Sequence, residues 1–136
     1  MFGFPKPRPK IFDKRDQQRE RERITREVYA LVAERDRRQC RCCGRKGSYE
    51  ASGSDKALHR HHLVYRSRGG VETSENLISL CRWCHALIHA KQLWPLGTNA
   101  DRRITFEIHE AAVVDLFGNK PLPPHVRIIT ESRRRA

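Results

Sequence analysis

Two C-x-x-C pairs constrain this chain more than anything else in it: Cys40 with Cys43, and Cys81 with Cys84. A C-x-x-C turn sets two thiolates on one side of a tetrahedral ion, and two such turns close a four-thiolate site of the structural zinc type. The gap between the pairs exceeds that of a simple zinc ribbon, so the intervening residues are expected to form structure that brings them together. GRKG (44–47), directly after the first pair, suits the tight turn of a zinc knuckle. Cys42 is a fifth thiol; it stands outside the set, or inside it in a shifted register.

The rest of the composition explains why such a staple is needed. Hydrophobic residues make up 38% of the 136 positions and charged residues 32%. A chain this small and polar buries little core without a metal, disulfides or a partner, and bound zinc supplies folding free energy directly. No apolar run approaches the roughly 20 residues that cross a bilayer, and the N-terminus has basic residues but no apolar h-region. A reducing compartment is expected, where cysteines hold metal more often than they pair. The 28 Lys+Arg against 16 Asp+Glu give a net charge of +12, which points to a polyanionic partner. Nucleic acid fits better than an anionic membrane, since no basic helix here carries a broad apolar face.

Four regions are expected. Residues 1–12 read as a basic arm in which Pro5, Pro7 and Pro9 alternate with Lys6, Arg8 and Lys10. Residues 13–38 read as a charged helix whose second half gains a stripe at Ile24, Val28, Leu31 and Val32 to dock on the next unit. Residues 39–94 hold all the cysteines and most histidines. Residues 95–136 form an extension: a strand at 104–109, a stretch at 111–118 ambiguous between strand and helix, a strand at 126–130, and a basic tail ending ESRRRA.

The histidines suggest a second, different metal site. CRWCHALIHAKQLW (81–94) reads as a helix with Trp83, Leu87, Ala90 and Trp94 on one core stripe. His85 and His89 lie one turn apart on the other side, able to chelate one ion, although paired surface histidines are also common on helices. LHRHHLVY (58–65) reads as a strand, so the adjacent His61 and His62 should point to opposite faces. Gly69 and Gly70 then break the chain, and LISLC (77–81) reads as a second strand leading to Cys81.

HRHHLVYRSRGGVETSENLISLCRWCHALIH resembles the ββα-metal motif of HNH endonucleases, in the subgroup with a four-cysteine zinc, over about residues 38–91. The resemblance implies an α+β fold: a small treble-clef-like ββα core with a long N-terminal helix and a short C-terminal extension. It implies that His62 is the general base and that Asn76 braces the loop. His61, His85 and His89 would hold a catalytic divalent ion. His59 falls near a position where some relatives carry an acidic residue that orients a metal-ligating His.

The chemistry is coherent without the family name. Hydrolysis of an anionic phosphodiester needs a base for water and a cation for the charge on the leaving oxygen. Imidazoles favour zinc, nickel or cobalt, whereas the resemblance adds magnesium and manganese. Arg66 and Arg68 beside the site would bind backbone phosphates, or contribute only general basicity. Tyr65, Trp83 and Trp94 are expected to pack, and His109 and His125 to be exposed. The expectation is therefore a metal-dependent DNA endonuclease, nicking through one site, in a bacterial or phage-encoded cytoplasmic setting. Two alternatives stand: a non-catalytic zinc-stabilised nucleic-acid-binding module, and a component of a larger packaging or restriction machine.

Overall fold

The computed structural model describes Gly3 and residues 13–51 and 53–130. The expected Pro-rich arm and the ESRRRA tail therefore lie outside the described residues. Among those described, three α-helices and two sheets form a mixed α+β architecture, and no helix is long and apolar enough to cross a membrane.

Helix α1 spans Lys14–Arg35, with the Asp13 carboxylate accepting the Asp16 N–H at its start. It ends three residues earlier than the sequence suggests. Arg37 and Arg38 take left-handed φ values of 55° and 52°, and Asp36 is buried beneath the turn they make. The expected docking stripe is also narrower. Val32 is fully buried and Val28 half-buried, but Ile24 and Leu31 are 44% and 56% exposed. Only the C-terminal part of α1 reaches the body of the protein, where it packs on the second strand and the turn before it. Its N-terminal half is solvated and carries helix-spaced pairs such as Arg23–Glu27 at 2.8 Å.

Strands β1 (Leu58–His62) and β2 (Leu77–Cys81) pair antiparallel, with His61 opposite Ile78 and His59 opposite Leu80. All five β2 residues are buried, as expected for a strand covered on both faces. Helix α2 (Arg82–His89) follows directly and packs across both strands. Residues 93–96 are not part of this helix. They form strand β3 (Leu93–Leu96), so Trp94 sits buried in a sheet rather than on a helical stripe, and Ala90 is an exposed cap. The buried residues of α2 are Cys84 and Ile88, with Trp83 and Leu87 packed partly against the core.

The second sheet runs β3–β4–β5, with β4 at Thr105–His109 and β5 at Val126–Ile129. Pro95 is tolerated because β3 is an edge strand. The β4–β5 pair is parallel and needs a crossover, which helix α3 (Glu110–Phe117) supplies, ending at Gly118 with φ 57°. The ambiguous 111–118 stretch is thus helical. One hydrophobic cluster runs from Cys40 and Cys42 through Ile78, Ile88 and Phe106 to Val126, so the extension shares the core of the cysteine region.

Candidate active site

The knuckle after α1 is built by backbone geometry. Cys40 N–H donates to the Arg45 carbonyl at 2.8 Å, Gly44 N–H to the Cys40 carbonyl at 2.9 Å, and Gly44 takes φ +78°. A side chain at residue 47 would place its Cβ 2.3 Å from the Lys56 carbonyl oxygen, so glycine is required there. The second pair straddles the β2–α2 junction, where Cys81 Sγ accepts the Cys84 N–H at 3.5 Å. The Sγ atoms of Cys40, Cys43, Cys81 and Cys84 all lie within 4.8 Å of one another, and Cys43 and Cys81 sulfurs are 3.6 Å apart. Tetrahedral zinc with bonds of about 2.3 Å separates its sulfurs by about 3.8 Å, so the set fits that ion. Burial, followed by the neighbouring Cys43 and Cys81 sulfurs, pushes the Cys40 thiol well up. Cys42 is outside the set, fully buried in the core.

The imidazoles gather on the other side of α2. Along β1 the side chains alternate, so His59 and His61 face α2. Arg60 faces α1, its guanidinium 3.9 Å from the Tyr29 ring centroid and 4.1 Å from that of Tyr49. One ring nitrogen from each of His61, His85 and His89 falls within a 4.8 Å group. The Nε2 atoms of His85 and His89 are 3.0 Å apart, close to the roughly 3.3 Å between two nitrogens on one zinc-sized ion. Burial grades across the set: His61 is 4% exposed, His85 half-buried and His89 exposed. The site therefore opens to solvent on one side. Burial, followed by the neighbouring His89 and His59, pushes His85 down to about 4, so it is neutral and able to ligate at physiological pH. His59 is the second-layer partner, its Nδ1 2.7 Å from His85 Nδ1.

The loop between β1 and β2 completes the hollow. Contrary to the expected strand over 58–65, β1 stops at His62. The cause is Asn76, 6% exposed. Its Oδ1 accepts the Val64 N–H at 2.8 Å, and its Nδ2 donates to the Val64 and Val71 carbonyls at 3.0 and 2.9 Å. Gly70 is pressed so closely on this turn that a Cβ there would lie 1.8 Å from the Val64 oxygen. Asn76 thus braces the loop through backbone groups. Tyr65, freed from the strand, lines the hollow, edge-on to His61 at 5.7 Å and near-parallel to His89 at 6.4 Å.

His62 borders the same hollow. Its Nε2 is hydrogen-bonded to Glu72 Oε1, which also accepts from Arg66 Nε at 2.9 Å. Burial alone would raise the Glu72 carboxyl, but the bonds from Arg66 and His62 outweigh it and hold it below the usual carboxylate range. Arg66 is exposed at the rim and already engaged by Glu72, whereas the exposed Arg68 lines an adjoining hollow with Tyr65, His89 and Lys91.

The sequence reading missed Glu72, whose loop position carries no periodic signal. It also missed Asp36, whose buried carboxylate accepts from Arg35, Arg41 and the Ser79 N–H. Nor are the two outlying histidines simply exposed. His125 donates from Nε2 to the Cys42 carbonyl at 2.8 Å, and His109 caps α3 through Nδ1 at 3.1 Å from Ala111 N.

Residues 40–91 match the family model for the HNH endonuclease. The chain is also similar to the Type IV methyl-directed restriction enzyme EcoKMcrA of Escherichia coli (strain K12), 29% identical over 62 residues. That match covers 46% of this chain and 22% of the relative's length.

Proposed function

We propose that the segment matching the HNH endonuclease family model, residues 40–91, hydrolyses DNA phosphodiester bonds with a divalent ion, nicking one strand per encounter. The observation that carries this reading is the convergence of three imidazoles in an open hollow that His62 also borders. His62 takes a proton from water as the water oxygen attacks phosphorus and the leaving oxygen departs. His61, His85 and His89 would hold the ion, which would supply positive charge for the leaving oxygen. Zinc, nickel, manganese and magnesium are the ions to compare, an imidazole set favouring the first two. Cys40, Cys43, Cys81 and Cys84 hold a structural zinc. Asn76 keeps the loop that presents His62 in place.

Arg66 at the rim and Arg68 beside the adjoining hollow contact phosphates, and the net charge of +12 supports salt-sensitive binding along the backbone. In this reading 39–94 is the nuclease core, 95–136 its extension, 13–38 a charged helix, and 1–12 a basic arm on flanking phosphate. Five unpaired thiols fit a reducing, cytoplasmic setting.

A zinc-stabilised binding module without catalysis accounts for the sulfurs and the charge, but not for three imidazoles within ligating distance in an open hollow. Supercoiled plasmid with each ion in turn separates the readings. We expect nicked circles from the wild type and a loss of about 10²–10⁴-fold with His62→Ala, DNA binding retained. Undiminished nicking by that variant would remove His62 as the base. Binding with no cleavage under any ion would favour the module.

A further inference from the structure

We infer that Glu72 is a positioning residue that fixes the tautomer and ring plane of His62, an inference that rests on His62 acting as the base. An ionised carboxylate only accepts hydrogen bonds. In the neutral ring, the form that can act as a base, the Glu72 Oε1 contact on Nε2 therefore places the single imidazole proton on Nε2 and leaves the lone pair on Nδ1. Arg66 Nε stands 3.4 Å from the same Nε2 as a rival donor, and a nitrogen that donates to Glu72 does not also accept from Arg66. The closer Glu72 contact wins, and the guanidinium is held instead on the carboxylate at 2.9 Å.

The surroundings are made for this. Both side chains are mostly withdrawn from solvent, His62 at 18% and Glu72 at 23% exposure, so water competes weakly for the bond. Glu72 follows Val71, whose carbonyl is bonded by the Asn76 side chain. The loop brace thus reaches the base through one residue: Asn76 holds Val71, Val71 places Glu72, and Glu72 orients His62. Arg66 is 65% exposed, and its guanidinium rests on the same Glu72 oxygen that holds His62.

Glu72→Ala, Glu72→Asp and Arg66→Ala test this with two readouts. In plasmid nicking with the most active ion, Glu72→Ala should lower kcat by about 10–100-fold with KM within about twofold, and Glu72→Asp should restore part of it. Arg66→Ala should instead raise KM. Nitrogen-15 spectra of the imidazoles, taken on full-length protein with its structural zinc and no other ion, should show His62 as the Nε2–H form. With Glu72→Ala the signal should spread over both forms. An unchanged kcat with an unchanged His62 signal would overturn the inference. So would a Glu72→Ala variant that reproduces the KM rise of Arg66→Ala and leaves kcat intact, for Glu72 would then only hold the arginine. If the wild type cleaves nothing, the nuclease reading falls, and the spectra still decide whether Glu72 sets the tautomer.

Discussion

The sulfur cluster and the imidazole cluster share helix α2, which contributes Cys84 to one and His85 and His89 to the other. They are otherwise opposites. Three of the four cysteines are buried within the main hydrophobic cluster, and the pairs join the knuckle to the β2–α2 junction across about forty residues of chain. The imidazoles grade from buried His61 to exposed His89, and one face of their set is left open. A cation with four protein ligands and no open position has only structural consequences; one with three ligands at a solvent-facing hollow can admit phosphate and water. The difference between the clusters is thus one of enclosure as much as ligand chemistry, and it predicts that stability follows the sulfurs and reactivity the imidazoles.

Breaking the sulfur side should have the largest effect. Cys81→Ser removes a ligand from a site that contributes on the order of 10 kcal/mol in comparable small zinc domains, similar to a whole domain's stability. We expect loss of zinc by metal analysis and loss of native circular dichroism across residues 39–94. A folded, zinc-free variant would show that the apolar cluster holds the core alone.

Asp36 gives the next largest effect and sharpens the comparison, because it fastens α1, the knuckle and β2 without touching either cluster. Its carboxylate is fully buried and accepts from Arg35, Arg41 and the Ser79 N–H. Burial would raise its pKa, but these partners outweigh burial and hold it below the usual aspartate value. Asp36→Asn should cost about 3–5 kcal/mol in urea unfolding, since partly buried Arg41 loses its counter-charge and Arg35 keeps only that of Asp101. The sign of its pH dependence follows. A carboxyl depressed on folding contributes fully above its unfolded value of about 3.9, and the contribution fades as pH falls through the lower folded value. The gap between wild type and variant should be flat above about pH 5 and close below about pH 4.

How far these regions were readable in the sequence follows the range of the interactions that build them. Both clusters come from short spacings, C-x-x-C and i, i+4, joined by a strand alternation that puts His61 and His62 on opposite faces. All of that is local and was legible. The end of β1 was not, because Leu63, Val64 and Tyr65 are strand formers overruled by Asn76 from across the loop. Trp94 misled for a related reason. Its spacing from Trp83, Leu87 and Ala90 is helical, but Lys91 turns left-handed and the next residues pair with β4, which lies later in the chain. Glu72 and Asp36 acquire meaning only from residues that folding brings to them, and no period or motif marks such partners.

The smallest expected effect on stability is the sharpest test of the division. His89→Ala removes an exposed imidazole whose contacts are with other members of the hollow, His85 at 3.0 Å and the ring of Tyr65. Surface changes of this kind usually stay within about 0.5 kcal/mol, so the urea midpoint of the zinc-loaded protein should barely move. The ion in the hollow should nevertheless bind far more weakly, because a three-nitrogen set becomes a pair. Calorimetric titration of nickel or zinc into protein already carrying its structural zinc would measure that loss directly, before any DNA is added. If His89→Ala unfolded the chain as Cys81→Ser is expected to, the imidazoles would belong to the scaffold, and the contrast between an enclosed ion and an open one would fail at its open end.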